Sequence, residues 1–186
     1  MLDGKNIAVL SVTPVDYEAV EVVRIIRAME NMGARVHVIS SPRKRSIRGW
    51  DRSIKVDTAI DKVSAEDFDA VILCTDCRSS DARIHLRCVQ FLNKANELGK
   101  LIAAIGKGLE PVLLAQLLPD DVLLHAIAAY SYGFEKEVPL ADRLIVRDTN
   151  LLIASDLMKP MSFAREIISA LEAEIGYPAH EPLVGM

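Results

Sequence analysis

Short uninterrupted apolar runs, each followed by a longer amphipathic stretch, constrain this chain of 186 residues more than any other feature. Asn6-Ile-Ala-Val-Leu-Ser-Val12, Arg35-Val-His-Val-Ile-Ser40, Phe68-Asp-Ala-Val-Ile-Leu-Cys74 and Lys100-Leu-Ile-Ala-Ala-Ile105 read as strands. A strand that is apolar on both sides must be covered on both faces, and a parallel sheet between two helical layers provides this. In such folds ligands bind beyond the carboxyl ends of the strands, where the direction of winding switches. The residues following Val12, Leu73 and Ile105 are therefore the first place to look for a site.

The amphipathic stretches fit the crossover helices. Asp16 to Met32 places Val20, Val23, Ile26 (or Ile25) and Met29 at helical spacing, and Gly33 supplies the stop. Ser79 to Leu98 forms the next helix, ended by Gly99, and a further helix runs from about Leu109 to Leu118. Val122 to Tyr130 fits either strand or helix. Leu144 to Ala154 reads as two strands around an Asp148-Thr-Asn150 turn, and Met161 to Ile175 as a last amphipathic helix. Ile54-Lys-Val-Asp57 looks extended. One domain over residues 1–175 and an irregular tail over 176–186, with Pro178, Pro182 and Gly185, complete the reading.

Composition narrows the partners. A chain of this length buries roughly 70% of its unfolded surface, so a core forms without staples. It is 51% apolar and 26% charged, which excludes disordered, collagen-like and coiled-coil classes. Twenty-two Lys and Arg against 26 Asp and Glu leave a formal charge of −4, opposite to that of a general nucleic-acid binder. Locally, Arg43, Lys44, Arg45, Arg48 and Arg52 surround Trp50. A solvated β-hairpin connection is favoured there over a polyanion surface. Three cysteines do not make a secreted disulfide framework. The longest uncharged stretch, Val122 to Phe134, falls short of the ~18 residues of a membrane span. A soluble cytoplasmic protein with no membrane partner is expected.

Three segments carry the candidate chemistry: Thr13 to Glu21, Cys74-Thr-Asp-Cys77, and Ala103-Ala-Ile-Gly-Lys-Gly108. Gly106-Lys107-Gly108 turns from a strand into a helix. Backbone N–H groups at such a turn, with an ammonium alongside, suit a carboxylate or phosphate. Alternatively, the glycines preserve a tight turn and Lys107 pairs with Glu21 or Asp76. Cys74 and Cys77 could form a redox pair, or join His85 and Cys88 in a metal cluster. The plainer reading has Cys74 ending a buried strand, Cys88 packing in a helix and Cys77 in a loop. Glu18 and Glu21 also complement the dipole of the first helix. No cofactor and no metal are expected.

In this arrangement the chain resembles the PfpI branch of the ThiJ/PfpI superfamily, relatives of the class I glutamine amidotransferases, from about Lys5 to Leu171. The resemblance is carried by Tyr17-Glu18-x-x-Glu21, Gly33-Ala-Arg-Val36, Ile54-Lys-Val-Asp57 and Asp67-Phe-Asp-Ala-Val-Ile-Leu73. Gly99-Lys100, Ala103-Ala-Ile105, Asp148-x-Asn150-Leu and Phe163-x-x-Glu166-Ile follow in order. It implies a flavodoxin-like three-layer α/β sandwich and a homodimer or larger homo-oligomer. It also implies a nucleophilic cysteine on a strand-to-helix elbow, a glutamate hydrogen-bonded to it, and a Gly-Gly oxyanion turn. Peptidase, deglycase, glyoxalase-like and isonitrile-hydrating activities occur in the family.

Set against that pattern, Gly106 occupies the cysteine position, Lys107 the following histidine, and Thr75 and Asp76 the glycine pair. Glu21 is retained. The segment from Tyr130 to Leu144 lacks the family's Asn-Ala-Gly stretch. The expectation is a non-catalytic member that binds a small anionic ligand or a protein partner at the degenerate pocket. Glu21, Cys77, Gly106, Lys107 and Gly108 are the ligand-binding candidates. The alternatives are an enzyme of altered chemistry using Glu21 with Lys107, or Cys77, and a redox- or metal-responsive module through Cys74 and Cys77.

Overall fold

The parallel sheet expected from the apolar runs is present in a computed structural model that describes residues 1–11, 19–40, 46–48, 53–74, 82–118, 145–154 and 160–173. Its strands are β1 (Asn6–Leu10), β2 (Arg35–Ser40), β3 (Ser46–Arg48), β4 (Ser53–Lys55), β5 (Thr58–Ala59), β6 (Ala70–Leu73), β7 (Leu101–Ile105), β8 (Ile145–Asp148) and β9 (Leu151–Ala154). The helices are α1 (Ala19–Asn31), α2 (Ala82–Glu97), α3 (Leu109–Leu114) and α4 (Pro160–Glu172).

The main sheet has the order β5-β2-β1-β6-β7-β9-β8. β2, β1, β6, β7 and β9 are parallel, which is the flavodoxin-like order. β8 alone runs antiparallel, paired to β9 across the Thr149-Asn150 turn expected from the sequence. Winding goes from β1 outward to β2, then returns to the other side of β1 with β6. The switch point therefore lies between β1 and β6.

Side-chain alternation along the central strands divides the core in two. Val9, Ile72, Cys74, Ala103, Ile105 and Leu152 face one way, against Ile25 and Met29 of α1 and Phe163 and Ile167 of α4. Leu10, Val71, Leu73, Ile102 and Ile153 face the other way, against Leu92 of α2 and Val112 of α3. The result is a three-layer α/β sandwich. Each large side chain buried in full is worth roughly 1.5–3 kcal/mol, and Phe163, Ile25 and Leu92 are among them.

Two helices stop at glycines as expected. Gly33 (φ 92°) donates to Glu30 O and Ala34 to Met29 O; Gly99 (φ 63°) donates to Asn96 O and Lys100 to Ala95 O. These paired bonds satisfy the last carbonyls of α1 and α2. α3 is shorter than expected. It ends at Leu114 because Gln116 takes the same left-handed conformation (φ 55°), with Gln116 N bonded to Leu113 O and Leu117 N to Val112 O. A non-glycine stop of this kind has no residue-type signature.

The hairpin expected in the basic stretch is β3 paired to β4, with Ile47 opposite Ile54, and it stands apart from the main sheet. The extended stretch at 54–57 divides between β4 and the approach to β5, an edge strand of two residues that the sequence did not reveal. Asp57 anchors it, its Oδ2 accepting from Val38 N at 2.9 Å. The elements expected around Val122 to Tyr130 and the tail at 176–186 lie outside the described residues.

Candidate functional site

The carboxyl ends of β1, β6 and β7 come together beside the switch point. Ser11 directly follows β1, and its N–H donates to Ile39 O at 2.9 Å while its carbonyl accepts the Ser40 hydroxyl. Both serines are buried, so these bonds lock the ends of β1 and β2 together. The sequence reading passed over them, although each is the first polar residue after an apolar run.

Cys74 directly follows β6 and is 1% exposed. Its side chain belongs to the core beneath α1 and α4, whereas Cys88, on α2, is buried in the opposite core. The sheet separates them, so Cys74 and Cys88 do not share one metal as the four-residue cluster with Cys77 and His85 requires; Cys77 lies outside the described residues. Among the described residues no three His, Cys, Asp or Glu side chains are grouped to hold a metal.

Gly106 follows β7 with φ 57°. Residues Gly106–Gly108 form a single 3-10 turn that runs directly into α3, and Leu109 N–H bonds to the carbonyls of Gly106 and Lys107. Only a residue tolerant of the left-handed region makes this change of direction without strain. Gly108 answers a different need. A Cβ there would lie 2.1 Å from Leu73 O and 2.5 Å from Leu73 C. The missing side chain lets the start of α3 rest on the end of β6, and this packing accounts for the glycine without a ligand.

Lys107 lies between two buried glycines with its own side chain half-buried. It brings a positive charge to this turn, and Glu110 in the first turn of α3 brings a negative one. Position 106 has no side chain and supplies no nucleophile, and the Cys74 thiol points into the core. Glu21 lies on the first turn of α1, with its side chain outside the described residues. Thr75, Asp76 and Cys77 also lie outside them. Among the described residues no helix is long and apolar enough to cross a membrane.

A doubly wound sheet with a left-handed elbow one strand beyond its switch point defines a flavodoxin-like α/β protein. The DJ-1/PfpI family model matches residues 5–170, and the chain belongs to that family. A deglycase from Pyrococcus horikoshii is 29% identical over 110 residues, covering 59% of this chain and 66% of that one. The deglycase PfpI from Pyrococcus furiosus is 23% identical over 157 residues, covering 84% of this chain and 95% of its own. Among solved structures, a ThiJ/PfpI domain protein from Brachyspira murdochii superposes with a TM-score of 0.68. It has 18% identity and covers 92% of this chain and 98% of its own, a likeness of fold.

Proposed function

We propose that this protein is a non-catalytic DJ-1/PfpI member that binds a small anionic ligand at the Gly106-Lys107-Gly108 turn. One observation carries the reading: the elbow residue Gly106 keeps the left-handed backbone (φ 57°) but bears no side chain. Where the family resemblance puts a thiol, position 106 offers only backbone, and no thioester or hemithioacetal can form at that position. An ammonium at Lys107 and backbone N–H groups of a tight turn favour a carboxylate or phosphate. Asp76, at the position of the oxyanion-stabilising glycines, opposes negative charge developing during acyl chemistry. The ligand therefore binds without being turned over.

The working assembly in this proposal is a cytoplasmic homodimer of one domain spanning residues 1–175, with no resident cofactor and no membrane or nucleic-acid partner. A protein partner at the same pocket is the other occupant compatible with a catalytically silent site.

Titration with inorganic phosphate and with acetate, followed by amide NMR, tests the proposal. Shifts confined to Gly106, Lys107 and neighbouring amides are expected, with a dissociation constant on the order of 1 mM. Lys107→Met should weaken binding about tenfold, the loss of one charge-assisted contact. Absence of localised shifts would refute ligand binding at this turn.

The names of the curated relatives favour a second reading, an enzyme of altered chemistry. Glu21 as general acid/base with Lys107, or Cys77 as nucleophile, would then carry the reaction. Release of free amine from a glycated amino acid by the wild-type protein, abolished by Cys77→Ser or Glu21→Gln, would establish it and end the non-catalytic reading. Under the leading proposal even Gly106→Cys with Lys107→His stays inactive, because Thr75 and Asp76 still occupy the oxyanion position.

A further inference from the structure

Away from the elbow, at the amino ends of β7 and β9, three buried oxygens have no hydrogen-bond partner among the described residues. They are Asn93 Oδ1 on α2, and Thr149 Oγ1 and Asn150 Oδ1 in the β8–β9 turn. Asn150 is 0% exposed. Its Nδ2 donates to Asn96 Oδ1 and to the Lys100 carbonyl, each at 3.0 Å. A carbonyl can only accept, so this pairing fixes which end of the Asn150 amide is nitrogen. The Oδ1 is left facing elsewhere. Asn93 precedes Asn96 by one helical turn and so shares its flank of α2. The Asn96–Asn150 bond holds this flank of α2 against the β8–β9 turn.

We propose that Asn93, Thr149 and Asn150 hold a single buried water molecule. The donor and acceptor count closes. Both amide oxygens only accept, and the Thr149 hydroxyl can donate. A water gives one hydrogen to Asn93 Oδ1, one to Asn150 Oδ1, and accepts the proton of Thr149 Oγ1. Three hydrogen bonds to otherwise unpaired buried groups is the usual complement of an internal water. A monovalent cation fits less well. All three oxygens are neutral, and a buried ion without a carboxylate keeps its desolvation cost. The water links the last turns of α2 to the β8–β9 hairpin. It also holds Thr149, a β-branched residue, in its left-handed conformation (φ 45°).

A crystal structure of the full chain that resolves ordered solvent should show one peak within about 3.2 Å of all three oxygens. No peak within hydrogen-bond reach of Asn150 Oδ1, in a map showing water elsewhere in the core, would overturn the assignment. Equilibrium unfolding supplies the second arm. Thr149→Val and Asn93→Ala should each raise the unfolding equilibrium constant about five- to thirtyfold. Together they should fall short of the product by at least about threefold, because the first substitution already disrupts the shared water. Strictly multiplicative effects would refute a bridge. Thr149→Ser keeps the hydroxyl and should stay within about twofold of wild type; a loss equal to that of Thr149→Val would refute the hydroxyl's role. Stability that differs between sodium and potassium at equal ionic strength would replace the water with a cation.

Discussion

The two ends of β7 are secured by opposite means. At its amino end, side chains do the work: the Asn150 amide ties Asn96 and the Lys100 carbonyl together in the interior. At its carboxyl end, the absence of side chains does it: Gly106 turns the chain, and Gly108 lets the start of α3 touch the Leu73 carbonyl. Polar networks fail gradually, since each lost bond has a limited cost and water can replace part of it. A backbone-to-backbone contact cannot yield in steps. Among the described residues, the contact at the carboxyl end rests on two glycines and a strand backbone.

The largest expected effect tests that difference directly. Gly108→Ala sets a Cβ 2.1 Å from a backbone oxygen of a central strand, which no rotamer change relieves. A loss of at least about 3 kcal/mol is expected, read as a shift in urea midpoint or as failure to accumulate folded protein. A near-neutral result would show that the two backbones are not in firm contact.

Asn150→Leu comes next. It removes a hydrogen-bond donor from Asn96 Oδ1 in the interior and from the part-buried Lys100 carbonyl. A destabilisation of about 2 kcal/mol is expected in the same unfolding assay, with the slope unchanged. A cost matching that of Gly108→Ala would erase the contrast between the two ends.

A smaller and more informative pair compares Gly106→Ala with Gly99→Ala. The two glycines have nearly equal φ, 57° and 63°, at the carboxyl and amino ends of β7. If strain alone keeps glycine at 106, each substitution costs about 1–2 kcal/mol, and the two agree within about 0.5 kcal/mol. A much larger cost at 106 would mean that its missing side chain also leaves necessary room.

The smallest effect lies on the surface near the amino end of β1. Lys5 Nζ and Asp69 Oδ1 are 3.5 Å apart, each side chain one-third exposed. Lys5→Ala should cost under about 1 kcal/mol and less at high salt. Asp69→Ala should cost more, because Asp69 Oδ2 also accepts from Asn6 N at 2.8 Å.

Much of the fold was legible because burial writes itself into residue type. Val71, Ile72 and Leu73 are apolar in succession because both faces of β6 are covered, by α1 and α4 on one side and α2 and α3 on the other. The helix stops at Gly33 and Gly99 were legible for a similar reason, since their positive φ narrows the choice of residue. Gln116, with φ 55°, shows the limit: tertiary packing imposes a left-handed stop on a residue that does not announce it. β5 was hidden because two residues carry no periodicity.

The candidate site was legible only in part. The strand ends were identified from topology, and Gly106 was singled out by its place after Ile105. Its left-handed turn appears only in three dimensions. The reason for Gly108 does too, because the atom that excludes a Cβ belongs to Leu73, distant in sequence. The Cys74-to-Cys88 spacing suggested a cluster because spacing does not say which side of a sheet a thiol faces.

The sequence alone, through apolar runs, crossover lengths and glycine stops, determined the alternation of elements, the parallel sheet and the absence of a side chain at position 106. These are local or pattern-level properties, and burial selects residue types one position at a time. Tertiary structure alone decided which glycine turns the chain and which admits a neighbour. It also decided that Cys74 and Cys88 face apart, and that Asn93, Thr149 and Asn150 turn three oxygens inward. Those facts depend on distances between segments remote in the chain, and a linear order of residues does not contain them.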